Sequence, residues 1–242
     1  MNQTIAQTMR ISVPGPCPIE NEADVIARLL NLTGATVLEL GCGKAEKTRL
    51  VAKQAASVVA LEVDEVQLAR HLLCDDLPNV QFGRGGAERI PAEDASFDLV
   101  LMFKSLHHVP AESMDDAFAE IHRVLKPGGY AYISEPVYAG DFNEILRLFH
   151  DEKQVRELAF AAERRAVASG RLSLETQQFF VQTMHFDDFA QFEQQVIGVT
   201  HTDHRLSPEL LELVRRSFAM HMTGGGADFA MPIRVDLFKK GG

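Results

Sequence analysis

Between residues 36 and 134, short apolar runs alternate with stretches of helical period. The runs fall at 36–40, 57–61, 80–82, 97–102 and 130–134. Val37, Leu38 and Leu40, then Val58, Val59, Ala60 and Leu61, are near-continuous in apolar side chains, as strands are when both faces of their sheet are covered. Between the runs, Leu50, Val51 and Ala55, then Val66, Ala69, Leu72 and Leu73, recur at helical spacing, and another helix is expected over 112–125. Such alternation predicts an α/β fold: a doubly wound, mostly parallel sheet with right-handed crossovers.

The flanks read differently. Residues 1–19 have no period, and Pro14, Pro16 and Pro18 argue against a regular helix. Ala23, Ile26, Leu29 and Leu30 predict a helix opened by Asn21 or Glu22 and closed before Gly34. Beyond Pro136, Phe142, Ile145, Leu146 and Phe149, continued by Val155, Leu158, Ala159 and Ala162, predict helix across 141–168. Phe179-Phe180-Val181 is a candidate strand and 188–196 a candidate helix. Ser207-Pro208-Glu209 opens a helix that runs to Met222, and 230–238 reads as a last strand. The expected single domain thus comprises an N-terminal segment and helix (1–31), a core (32–136), a helical cover over the ligand crevice (137–206) and a last helix and strand (207–242). The alternative for 137–206 is an appendage used in a homodimer.

The core also carries chemistry. The run Val37–Leu40 enters Gly41-Cys42-Gly43, and Glu62 stands 21 residues after Gly41 at the end of the next run. Strand, glycine turn, helix, strand and acid make a nucleoside-binding unit, in which the glycines permit close approach and the acid accepts hydrogen bonds from ribose hydroxyls. A third glycine, as in G-x-G-x-x-G, is missing, and Glu39 would repel a pyrophosphate. A carboxylate there suits a ligand with a positive amino end beside a sulfonium, which is S-adenosylmethionine.

Glu39-Leu40-Gly41-Cys42-Gly43 resembles the first motif of the class I S-adenosylmethionine-dependent methyltransferases. Ala87-Glu88-Arg89-Ile90-Pro91, Ser96–Leu101, Leu106-His107-His108-Val109 and Arg123–Tyr130 resemble the later motifs in the family's order. The resemblance covers residues 32–136; it implies a seven-stranded Rossmann-like sheet with an antiparallel last strand. Ala45 departs from a third glycine found in many members, and Gly86 stands where an acid often contacts the adenine amino group.

Candidate cofactor-binding residues follow: Glu39 for the amino end, Gly41, Cys42 and Gly43 for the turn, and Glu62 with Val63 for the ribose, with Asp64 a competitor. Gly86, Ala87 and Glu88 are placed at the adenine, with Glu88 a partial substitute for the missing acid, and Phe103 and Lys104 at the methionine end. Lys104 is a candidate partner for the cofactor carboxylate or an acidic substrate. His108, followed by His107, is the candidate general base. His150, His185, His201, His204 and His221 lie downstream; His201-Thr202-Asp203-His204 alone has metal-like spacing, and no metal is expected. His201 or His204 is a secondary base candidate from the cover.

Net charge is −10, which argues against a phosphate-binding face and for a small-molecule methyl acceptor. An RNA methyltransferase and a non-catalytic S-adenosylmethionine-binding module are the alternatives. Three widely spaced cysteines, no membrane-length apolar run and no leader-like start suit a reduced cytoplasmic protein.

Overall fold

The computed structural model describes residues 2–200 and 202–241. Helix α1 (Asn2–Thr8) and α2 (Glu22–Leu29) precede β1 (Thr36–Leu40), α3 (Glu46–Ala52), β2 (Ser57–Glu62), α4 (Glu65–His71), β3 (Val80–Arg84) and β4 (Phe97–Phe103). After 3-10 turns at Leu106–His108 and Ala111–Ser113 come α5 (Met114–Val124), β5 (Leu125–Pro136), α6 (Asp141–Leu146), α7 (Lys153–Ala168) and β6 (Ser173–Phe186). Then follow α8 (Phe189–Phe192), which runs into a π-turn, α9 (Pro208–Ala219), β7 (Met222–Thr223) and β8 (Gly226–Lys239).

The sheet order is β3-β2-β1-β4-β5-β8-β6, with β7 a two-residue partner of β8. Pairing is parallel from β3 through β5, and β8 runs antiparallel to both β5 and β6. This is the expected Rossmann-like sheet. The period of two separates two cores: Val37, Leu99, Leu101 and Val235 face one layer, and Leu38, Leu40, Val100, Met102 and Ile133 the other. Caps set the helix starts around the crevice. Asn21 Oδ1 accepts from Ala23 N–H at 3.0 Å, and Asp64 Oδ1 accepts from Val66 N–H at 2.8 Å.

Four expectations change. The first nineteen residues do contain a helix: α1 forms ahead of the prolines and buries Ala6, with Met9 just beyond it, in the second core. The expected helix over 141–168 breaks at 147–152, where Asp151 accepts the Lys153 N–H at 3.0 Å and restarts it as α7. The segment 137–206 is not a helical cover throughout: the candidate strand at 179–181 is the middle of β6, fourteen residues long, which pairs along β8. Helix α9 stops at Ala219, and the glycines beyond it turn the β7–β8 hairpin.

Candidate functional site

The sheet brings the cofactor candidates to the carboxyl ends of adjacent strands, where ligands of open α/β sheets bind. The N–H groups of Gly41 and Cys42 both donate to the Leu61 carbonyl, at 2.9 and 3.1 Å, so the turn is tied to the end of β2. Gly41 has φ +73°, and a Cβ there would lie 2.7 Å from that of Ser105. Gly43, at φ +53°, faces open space. Ala45, where a third glycine would stand, is fully buried and left-handed at φ 60°. An alanine thus adopts here the left-handed conformation that glycine adopts most readily.

Glu39 is buried under this turn, and its Oε2 has no partner among the described residues. Burial pushes its carboxyl up to about 8; Thr48 and Lys47 oppose the rise, and the nearby Glu62 and Glu22 add to it. Glu62 accepts three backbone N–H groups: Gly43 at 2.6 Å, Val63 at 2.8 Å and Asp64 at 2.9 Å. Val63 is exposed beside it. After β3, a Cβ at Gly86 would collide with both carboxylate oxygens of Glu88, which therefore fill the space of the missing side chain. Ala87 is buried next to them.

Phe103, 5.6 Å from the Tyr132 ring, and Lys104 leave β4. Lys104 is left-handed at φ 56°, and its Nζ donates to Glu22 Oε2 at 3.0 Å. Glu22 also accepts from Ser134 Oγ at 2.5 Å and pairs with Lys47 at 3.4 Å. Its burial favours protonation, but the two lysines and Ser134 prevail and hold it below the ordinary carboxyl value.

His107 is buried and His108 exposed, on the turn after β4. His107 Nδ1 donates to Glu135 Oε2 at 2.5 Å, and Nε2 lies 3.6 Å from Glu152 Oε1. Burial lowers its basicity, but the two glutamates outweigh that and raise the imidazole to about 9. Glu152, from the break between α6 and α7, also faces His150 Nε2 at 3.1 Å and Arg156 at 2.5 Å. The His150 and His204 rings lie 4.7 Å apart. Further along, Gln67 Nε2 donates to Thr200 Oγ1 at 2.9 Å, and the Thr200 hydroxyl donates to Asp64. His201 lies outside the described residues.

Sequence reasoning missed Glu22, Glu135, Glu152, Thr200 and also His71, whose Nε2 donates to the Gly43 carbonyl at 2.6 Å and pins the turn. Glu135, directly after the expected strand at 130–134 and inside the observed β5, carried the clearest available signal: an acid near the end of a central strand.

Residues 38–133 match the family described as "Methyltransferase domain". Over 103 residues the chain is 36% identical to the phthiotriol/phenolphthiotriol dimycocerosates methyltransferase 1 of Mycobacterium ulcerans, spanning 42% of this chain and 37% of that protein. It is 32% identical over 124 residues to a sterol 24-C-methyltransferase of Gibberella zeae, spanning 48% of this chain and 32% of that one. The YcgJ protein of Bacillus subtilis shares the fold, with TM-score 0.61 and 14% identity over 91% of this chain and 98% of that structure. Over residues 38–133, sheet order, motif order and the family match agree on the core of a class I S-adenosylmethionine-dependent methyltransferase domain. The matches span less than half the length of those two curated relatives. No helix among the described residues is long and apolar enough to cross a membrane.

Proposed function

We propose that the chain transfers a methyl group from S-adenosylmethionine to a small-molecule acceptor. The observation that carries this reading is the turn itself: a buried carboxylate oxygen without a partner beneath two left-handed glycines, one of them open to space. A ligand with an ammonium end would satisfy Glu39, and the glycines would admit it. The residues present therefore fit S-adenosylmethionine, which supplies an electrophilic methyl group when bound.

Glu62 holds the ribose hydroxyls, with Val63 against the base. Glu88, folded over Gly86, takes the place of the missing acid at the adenine amino group, and Ala87 offers its N–H. Gly41, Cys42 and Gly43 lie along the methionine portion, and Phe103 closes its apolar side. Lys104 acts by neutralising Glu22 rather than by reaching a substrate. In-line transfer asks the protein chiefly to place the acceptor and remove its proton. His107, held as an imidazolium by two carboxylates, has no lone pair to offer at neutral pH; the exposed His108 is the base. The small-molecule assignment is supported by the two named relatives and by the net charge of −10. Three free cysteines suit a reducing cytoplasm.

The test is calorimetric titration with S-adenosylmethionine, S-adenosylhomocysteine and NAD, followed by a methyl-acceptor panel. Binding of the first two without NAD is expected, and binding of neither by folded protein sinks the reading. Glu62→Ala should weaken S-adenosylmethionine about 10–100-fold, the range for losing hydrogen bonds to a charged acceptor. Unchanged affinity would move the ribose assignment to Asp64.

A further inference from the structure

Glu135, His107, Glu152 and Arg156 form a chain of charged groups, all buried, that ends at the exposed His108. One atom from each of His107, His108 and Glu152 lies within 4.8 Å of the other two. We propose that these three residues bind a divalent transition-metal cation of the zinc type.

Three observations support the site. First, the spacing suits a shared ion: His107 Nε2 and Glu152 Oε1 are 3.6 Å apart, long for a direct hydrogen bond. Two donors each about 2.1 Å from a tetrahedral ion stand about 3.4 Å apart. Second, each buried ligand is oriented from behind. Glu135 fixes the His107 ring through Nδ1 and so directs Nε2 outward, an arrangement common to metal-bound histidines. Arg156 holds the other Glu152 oxygen at 2.5 Å, and is itself fixed by Asn143 Oδ1 at 3.1 Å and the Val137 carbonyl at 3.2 Å. Third, the site has an open side. His108 is exposed, while His150 faces Glu152 Oε1 at 3.1 Å from the other side.

Two imidazoles and one carboxylate favour zinc and its first-row neighbours over magnesium or calcium, which prefer oxygen donors. Binding places the ion on the Nε2 lone pair of His107 and releases the proton held there to solvent. A bound ion would occupy a ring nitrogen of His108 and so compete with its part as a base, whereas Glu39 and Glu62 are not ligands; zinc binding and S-adenosylmethionine binding can therefore fail separately.

The test is calorimetric titration of the chelator-treated full chain with zinc chloride, with magnesium chloride as comparator. One zinc ion per chain is expected, bound more tightly than magnesium. Glu152→Gln and His108→Ala should each weaken it about tenfold or more. The His108 side chain is exposed, so its variant keeps the fold even if Glu152→Gln does not. Two variants should bind as wild type: His122→Gln, at a ring facing Lys240 and Arg171, and Cys74→Ser, at an exposed thiol. The proposal is overturned by absence of stoichiometric zinc, by equal affinity for magnesium, by full affinity in His108→Ala, or by its loss in either control.

Discussion

At the scale of single residues, Glu39 ties cofactor affinity to pH. Its carboxyl sits near 8 in the folded chain, against an ordinary value of 4.5. The fold therefore prefers the protonated acid, and stability relative to Glu39→Gln falls as pH rises between those two values. An ammonium opposite the carboxyl reverses that preference, so binding below about pH 8 expels a proton. Affinity for S-adenosylmethionine should rise with pH up to that point and be flat in Glu39→Gln. Calorimetry in buffers of different ionisation enthalpy reads the released proton directly; no proton release from wild type would refute the assignment.

Gly41 is the other residue whose identity is forced. A side chain there would be left-handed and would meet Ser105 at 2.7 Å. Gly41→Ala should cost about 2 kcal/mol or more in chemical denaturation, from the left-handed strain and the clash combined. A cost near zero would show that the turn can rearrange.

Among the elements, the strands were legible and the cover was not. Residues 36–40 and 97–102 are buried on both faces, so hydrophobic continuity alone marks them, and β1 begins and ends where that pattern does. The break between α6 and α7 left no such trace. Apolar spacing continues through it, and the interruption depends on Asp151 accepting the Lys153 N–H and on Glu152 reaching towards His107. The same holds for the site. Glu39, the glycine turn and Glu62 are local in sequence and readable, whereas Glu22 meets Lys104 from 82 positions away and Glu152 meets His107 only through the fold. Ala45 shows the reverse case, a departure in sequence at a position whose backbone is nonetheless left-handed.

One contact of the cover carries its own prediction. Thr200 bridges Asp64 and Gln67, so it fastens the chain beyond the π-turn to the first turn of α4, beside the ribose position. Thr200→Val removes the bridge. S-adenosylmethionine should dissociate about 2–10-fold faster, the worth of one or two ordinary hydrogen bonds. Hydrogen exchange should quicken around Thr200 and Gln67 while β1 stays protected. An unchanged dissociation rate would mean that this contact does not gate the crevice.

For the molecule as a whole, a buried arginine on β8 carries much of the interior charge, in register with Glu135 of β5. Arg234 on β8 donates to Glu163 of α7 and to Asp236 of its own strand, each at 2.5 Å, and its guanidinium lies 4.6 Å from the centre of the Phe160 ring. Burial pushes both carboxyls up while Arg234 pulls them down. One positive charge thus serves two acids in a dry interior. Arg234→Met should destabilise the chain by about 3–5 kcal/mol, the cost of stranding a buried partner, read as a lowered midpoint of denaturation. Retained stability would mean that the acids simply take up protons.

The position of β8 also bears on the order in which the chain can assemble during synthesis. This strand fills the gap between β5 and β6, yet among the sheet's strands it is the last to leave the ribosome. Until it arrives, β5 and β6 each present an unpaired edge, and Glu163 waits without its arginine. The first five strands can close early around the cofactor crevice, since they pair without it. A nascent chain halted before residue 226 would therefore hold a formed cofactor half beside two adhesive edges. The interval of greatest aggregation risk then falls at the end of translation, when most of the binding machinery is already in place.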